Sequence, residues 1–288
     1  MRIAAVVILY HPDHSVVSNI KTYYDYIEKI MVFDNTETEP LLKEELLKFQ
    51  RIEYYHDYKN EGIAKRLNAG AAMSIEQQFD WLLTMDQDSK FSVEAIKNYF
   101  RCFGQYENKE NVAVFGTRYT RMKKASPEEC KPTEIHELIT SASLLNLKLY
   151  KTIGSFDEAL FIDSVDHDYC IRARLKGFSL IKFSNIHILH EVGKQVYKSS
   201  VKTLFIFKKK KEIHSPLRCY YMYRNLLYLE KKHKDTTGTI MKTVRKIVIN
   251  QIKACIFYGR DSWKIIRYLF AAYNDFKMMK MGKFKKQL

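Results

Sequence analysis

The sequence predicts an α/β fold in which a mainly parallel sheet is flanked by helices and followed by a basic, mainly helical C-terminal region. Three observations predict it. Short apolar runs alternate with segments of helical spacing through the first half of the chain, as in β-α-β units. The runs Ile3–Tyr10 and Trp81–Asp86 are apolar without alternation, which suits strands covered on both faces. The charge divides sharply. Residues 1–193 carry 24 Lys+Arg against 28 Asp+Glu, net −4, whereas residues 194–288 carry 24 against 5, net +19.

Each element follows from its own pattern. Ile3–Tyr10 is the first strand. Ser15–Ile27 has helical spacing through Val16, Ile20, Tyr23, Tyr24 and Ile27. Lys29–Asp34 is a strand, Pro40–Phe49 a short leucine-bearing helix, and Ile52–His56 a third strand. Gly62–Phe79 places Ile63, Leu67, Ala71 and Ile75 on one helix face. Trp81–Asp86 is the fourth strand, Val93–Phe103 a helix and Val112–Gly116 a fifth strand. Tyr119–Glu137 is polar, basic and broken by Pro127 and Pro132, so it reads as a crossing loop. Ser141–Tyr150, Val165–Leu175, Ser179–Phe183 and Ile186–Leu189 supply further helix and strand pieces. Pro216–Lys232, Thr239–Tyr258 and Trp263–Met281 read as helices. The expected division is an α/β domain over residues 1–215, with halves of about 1–117 and 118–215, and a helical region over 216–288. No repeat of 20–50 residues is visible.

At 288 residues, 46% hydrophobic and 28% charged, the chain describes a folded globular protein with ample material for a core. The N-terminal apolar run is short, lacks a small-residue cleavage pattern and is followed at once by His11-Pro12-Asp13, so it reads as a strand and not as a signal peptide. No apolar run of the roughly 18 residues needed to span a bilayer occurs. The five cysteines are scattered without a C-x-x-C pair, which argues against a zinc site or a disulfide framework and suits a reducing cytoplasm. The basic C-terminal third points to an anionic membrane surface, an anionic substrate or nucleic acid.

Glycine-rich dinucleotide and P-loop motifs are absent, as is a G-x-S-x-G elbow. What remains is a set of acids and one histidine. Asp86 and Asp88 end an apolar strand, where open α/β sheets bind ligands. Paired carboxylates need a cation or solvent, and hard oxygen donors suit Mg²⁺ or Mn²⁺. A solvated turn after a strand fits the same residues. Asp163, Asp166 and Asp168 crowd the start of a helix, where acids also serve as caps and dipole partners. His190 ends a β-like run, and a lone histidine is more often structural than a ligand.

In order along the chain, these pieces resemble the family-two glycosyltransferases of GT-A fold, and most closely their bacterial rhamnosyltransferase-like branch. Leu9-Tyr10-His11-Pro12 resembles that family's entry motif, with Leu9 and His11 in place of its threonine and asparagine. Val32-Phe33-Asp34-Asn35-Thr36 and Asn60-Glu61-Gly62-Ile63-Ala64-Lys65-Arg66-Leu67-Asn68-Ala69-Gly70 are similar to its next two segments. The acidic pair, the stretch Gly154–Arg172, the His190-x-x-Gly193 pattern and Arg218–Asn225 follow in the family's order. Val165 stands where many members carry a glutamate before the aspartate.

The resemblance implies an inverting transfer of a sugar from a nucleotide-sugar, dTDP-rhamnose or a UDP-hexose, to a glycan or lipid-linked acceptor in bacterial surface polysaccharide synthesis. By resemblance, Asp88 and His190 bind Mn²⁺ or Mg²⁺ with Asp86 assisting, and Asp166 is the base, with Asp163 and Asp168 as its rivals. Tyr10, Asp34, Asn60, Gly62, Lys65, Asn68 and Asp86 line the nucleotide-sugar. Asp163, Asp168, Arg218, Tyr221 and Arg224 contact the acceptor or the diphosphate. A cytoplasmic enzyme, peripheral on the inner membrane face through the basic run Lys208–Lys211 and the helices Thr239–Met281, which mix bases with Ile247, Val248, Ile252, Ile256, Phe257, Trp263, Ile266, Leu269 and Phe270, is the expected setting; a helical appendage packed on the catalytic domain or on a second subunit fits the same pattern. The competing readings are a sugar-nucleotide-binding protein without catalysis and a basic nucleic-acid-binding protein. The acidic character of the motif-bearing half opposes the latter, so no nucleic acid partner is expected.

Overall fold

The computed structural model describes residues 1–120, 128–190, 194–198, 209–234 and 238–285. The chain divides into two units, Met1–Asp157 with Asp166–Glu191, and Glu158–Val165 with Val192–Leu288. In chain order the first runs through β1 (Ile3–Leu9), α1 (Ser15–Lys21), β2 (Lys29–Asp34), α2 (Lys43–Leu46), β3 (Ile52–His56), α3 (Gly62–Glu76), β4 (Trp81–Asp86), β5 (Ser89–Lys90), α4 (Val93–Gln105), β6 (Val112–Thr120), β7 (Pro132–Glu134), β8 (Ser143–Asn146), α5 (Leu147–Ile153), α6 (Val165–Leu175) and β9 (Ser179–His190).

β1 is apolar at every position and almost wholly buried, so it needs cover on both faces. Ile3, Ala5, Val7 and Leu9 join one core cluster with Val16, Val17 and Ile20 of α1 and Ala95, Ile96 and Tyr99 of α4. The alternate residue Val6 points the other way, onto α3. A Cβ placed on Gly70 of α3 would lie 2.8 Å from Val6 Cγ2 and 3.0 Å from Val6 Cβ. The glycine therefore sets how closely α3 lies on the sheet. Gly70→Ala is expected to destabilise the protein: over-packing of this kind costs about 1–3 kcal/mol, more than the roughly 1 kcal/mol gained in helix propensity. Urea unfolding reads the balance, and an unchanged or raised midpoint would refute the close-packing account.

The sheet order is β3-β2-β1-β4-β8-β6-β9-β5, with β7 added on β9. β3, β2, β1 and β4 are all parallel. Beyond β4 the sheet is mixed: β8 runs antiparallel to β4 and β6, β6 is parallel to β9, and β5 and β7 are antiparallel to β9. The expected parallel character thus holds for the N-terminal half. Among the described residues no helix separates β6 from β8, and antiparallel pairing needs no helical crossover.

Several boundaries differ from expectation. The helix read over Ser15–Ile27 is α1 plus a 3₁₀ turn at Tyr24–Tyr26, and that over Pro40–Phe49 shrinks to one turn. β6 continues to Thr120, two residues into the loop read over Tyr119–Glu137, and that loop also contains β7; residues 121–127 lie outside the described residues. The pieces Ser179–Phe183 and Ile186–Leu189 are one strand, β9, with a register shift where Ser184 and Asn185 interrupt the apolar pattern. The expectation of a chain without disulfides is corrected: Cys102 of α4 is bonded to Cys130 across a separation of 28 residues. No local spacing announces that pair.

The second unit holds a hairpin, β10 (Lys194–Lys198) with β11 (Lys209–Ile213), and three helices, α7 (Pro216–Lys232), α8 (Gly238–Tyr258) and α9 (Ser262–Lys277). Ser215 caps α7, accepting from Arg218 N at 3.2 Å, and Pro216 opens it. Lys208, in the basic run expected at a membrane, lies outside the described residues. Glu158–Val165 belongs to this unit, which departs from the expected boundary at 215. The Phe161 ring stacks on Tyr221, and Asn225 Nδ2 donates to the carbonyls of Leu160, Ile162 and Asp163 at 2.9, 2.8 and 2.9 Å. Phe161, Asp163 and Ser164 all have left-handed backbone, with φ of 62°, 61° and 65°. Such residues persist where the surroundings over-determine them, and Asn225 supplies that constraint. No described helix is long and apolar enough to cross a membrane.

Candidate active site

Parallel register brings the carboxyl ends of β1, β2 and β4 side by side, pairing Leu9 with Asp34 and Ile8 with Asp86. Ligands of open α/β sheets bind at this edge. Tyr10, just past β1, is 46% exposed, and its backbone N–H and carbonyl are both bonded to the Gln87 side chain, at 2.8 and 3.2 Å. Gln87, the residue between the two acids, therefore fastens β1 to the end of β4. Asp34 is fully buried; Oδ2 accepts from Tyr54 OH at 2.5 Å and Oδ1 from Thr36 N at 2.8 Å. Burial and the neighbouring Asp34 carboxylate push the Tyr54 phenol upward. Asp34 thus ties the end of β2 to β3 and to the backbone that follows β2.

The loop entering α3 is held by polar side chains. Asn60 Oδ1 accepts from Gly62 N at 3.1 Å, and Gly62 has φ 81°, a conformation that suits glycine. Asn35 Oδ1 accepts from Arg66 Nε at 2.8 Å and from Glu61 N at 3.3 Å. Arg66 also binds Asp57 Oδ1 at 2.5 Å and the Lys59 carbonyl at 2.9 Å, and its guanidinium holds the Asp57 carboxyl below the usual range. Lys65 pairs with Glu61 at 2.7 Å on an exposed helix turn. Asn68, expected at the nucleotide-sugar, lies on α3. Its side chain is engaged within the fold, accepting from Tyr150 OH at 2.7 Å and Phe156 N at 2.8 Å and donating to the Phe156 carbonyl at 3.0 Å. It ties α3 to the segment after α5.

Asp86, Asp88 and His190 come together, with one ligand atom from each lying within 4.8 Å of the others. His190 Nδ1 is 3.2 Å from Asp88 Oδ1, and Nε2 is 3.9 Å from Asp86 Oδ2. Antiparallel pairing of β5 with β9 sets Ser89 opposite His190, which is how residues about a hundred positions apart converge. Ser89 Oγ lies 2.6 Å from His190 Nδ1; Ser141 Oγ donates to Ser89 Oγ at 2.7 Å and accepts from Asp86 N at 3.3 Å. Both serines are buried. This relay orients the imidazole, the arrangement that metal-ligating histidines have through their second nitrogen. Two carboxylates and an imidazole fit a divalent cation such as Mg²⁺ or Mn²⁺.

Asp166 lies in the first turn of α6, partly exposed, with Oδ1 accepting from His167 N at 2.9 Å. It lines a small cavity with Thr84, Thr140, Phe156 and Tyr169. Thr84 precedes Asp86 by two residues in β4 and so shares its face. Asp166 therefore belongs to the same side of the sheet as the acidic strand end. Asp168 does not join it: it is fully buried and bonded to Arg172 Nε at 2.8 Å, while Arg172 secures the carbonyls of Ile153, Gly154 and Ser155.

The remaining expected contacts belong to the second unit. Arg218, 44% exposed at its side chain, pairs with Asp163 Oδ1 at 3.0 Å. Asp163 Oδ2 is buried and has no hydrogen-bond partner among the described residues. Tyr221 and Arg224 lie on α7. Tyr221 is 5% exposed and its hydroxyl accepts from Phe284 N at 2.8 Å. Arg224 is 1% exposed, donates to Tyr220 OH and to the Gly282 carbonyl at 3.1 and 2.9 Å, and packs on the rings of Tyr220 and Tyr221. A motif that reads as anion-binding is here the polar centre of a helical core.

Comparison with known proteins agrees with this geometry. The dTDP-rhamnosyl transferase RfbF of Shigella flexneri is 27% identical over 286 residues, covering 91% of this chain and 90% of its own. Among solved structures, the S. aureus TarS fragment 1–349 in complex with UDP-GlcNAc superimposes with a TM-score of 0.57 at 13% identity, over 96% of this chain and 80% of that one. GalNAc-T7 with UDP, GalNAc and Mn²⁺ gives a TM-score of 0.53 at 12% identity, over 66% of this chain and 44% of that longer one. These likenesses establish the GT-A type of α/β fold. The family model described as glycosyl transferase family 2 matches residues 14–169. That match is more than half of the chain, so the protein belongs to glycosyl transferase family 2.

Proposed function

We propose that the protein is a metal-dependent, inverting glycosyltransferase that takes a sugar from dTDP-rhamnose or a UDP-hexose and passes it to a glycan or lipid-linked acceptor during surface polysaccharide synthesis. The convergence of Asp86, Asp88 and His190 at the carboxyl end of the parallel strands carries this reading. A divalent ion held there supplies positive charge to the departing nucleoside diphosphate. The chain's own groups do the rest. Tyr10 is the exposed aromatic at the strand edge and offers a surface for the nucleobase. Gly62, with no side chain, lets the diphosphate approach the loop before α3. Asp166 accepts the proton of the acceptor hydroxyl as it attacks opposite the leaving group. RfbF is named as a dTDP-rhamnosyl transferase, which favours dTDP-rhamnose as the first donor to test. The setting is the cytoplasm, at the inner face of a membrane.

A panel of nucleotides and nucleotide-sugars, each with and without Mn²⁺, tests this by thermal shift. dTDP or UDP compounds are expected to raise the melting temperature only when the metal is present. A metal-independent shift, or none for any nucleotide, would sink the proposal.

A further inference from the structure

The outward face of α9 sets two large aromatic side chains among basic ones. α9 buries Ile265, Tyr268 and Ala272 within the second unit. At 3.6 residues per turn, Trp263, Arg267, Phe270 and Lys277 fall on the opposite face. Trp263 is 81% exposed and Phe270 68%. Single exposed apolar side chains are ordinary. Two large aromatics seven residues apart, both turned away from the helix's own core and set among exposed Lys264, Arg267 and Lys277, form a patch.

Aromatic and basic side chains together match one environment. Indole rings settle at the headgroup level of a bilayer, and Lys and Arg are drawn to anionic lipid. A helix with one face in its own protein core and the other aromatic and basic can lie in the interface plane without crossing it. The charge argues the same way, since residues 194–288 carry a net +19. A second copy of the chain would bring like charge against the patch, and a purely apolar partner would strip water from Arg267 and Lys277 with nothing in return.

We propose that this face of α9 docks on an anionic membrane surface, with Trp263 and Phe270 entering the headgroup region. The surface lies wholly in the second unit and does not depend on the donor chemistry. Flotation of the full chain with phosphatidylcholine vesicles, with and without phosphatidylglycerol, tests it at low salt. The chain is expected to float with the anionic vesicles and not with the neutral ones. Trp263→Ala combined with Phe270→Ala is expected to weaken binding about tenfold or more. Both side chains are exposed, so the double variant should keep its melting temperature and any nucleotide-dependent thermal shift. The chain has two tryptophans, and the other, Trp81, is 5% exposed, so vesicle-induced emission changes report Trp263. A blue shift that disappears in Trp263→Phe is expected. Unchanged flotation of the double variant, an unmoved emission maximum, or a dimer in sedimentation equilibrium that the double variant abolishes would each overturn the proposal.

Discussion

Asp166→Ala is expected to keep the metal-dependent nucleotide shift and to lower transfer about 10²–10⁴-fold, the usual contribution of a positioned general base. Asp166 is the one of the three clustered acids suited to the task. Asp168 is fully buried in an ion pair with Arg172, and Asp163 is held by Arg218. Asp166 is partly exposed, its hydrogen bond is to the neighbouring backbone N–H of His167, and it lines a cavity that reaches the Asp86 face of β4. Mass-spectrometric detection of product, beside a thermal shift with nucleotide and Mn²⁺, separates chemistry from binding. Surviving transfer would remove Asp166 from the base role. Loss of the nucleotide shift would make it a donor-site residue instead.

The second large effect belongs to the cation site. Asp88→Ala or His190→Ala is expected to abolish Mn²⁺ binding and, with it, the metal-dependent nucleotide shift. Ser89→Ala is expected to do less, weakening Mn²⁺ about 10–100-fold, because the serine orients the imidazole without being a ligand. Titration followed by electron paramagnetic resonance of free Mn²⁺ measures all three. The gradient matters more than any single value. If Ser89→Ala is as severe as His190→Ala, the hydroxyl is itself a ligand. If Asp88→Ala binds Mn²⁺ normally, the site lies elsewhere.

Much of the fold was legible because its signals are local. The unbroken apolar runs of β1 and β4 and the helical spacing of α3 and α4 appear where the residues themselves require them. The acidic strand end was legible for the same reason, since the last residues of a buried strand are marked by where the apolar run stops. What stayed hidden depends on pairing between distant segments. Ser89 and Ser141 are ordinary serines until β5 meets β9 and place themselves beside His190. Cys102 and Cys130 gave no spacing to read. Asn68 and Arg224 are polar residues inside a recognisable motif that suggests ligand contact, and each also bonds groups of the protein itself, which the motif does not announce. Burial decides between those uses, and the motif does not encode it.

The grip of Asn225 on residues 160–163 has a practical consequence for dissecting the chain. A cut after residue 215 looks natural on the linear map, between the α/β region and the helices. It would discard α7 and release the three carbonyls that Asn225 holds, three residues upstream of Asp166. Such a fragment would also uncover Phe161, which packs against Tyr221, and it is expected to be deficient in transfer.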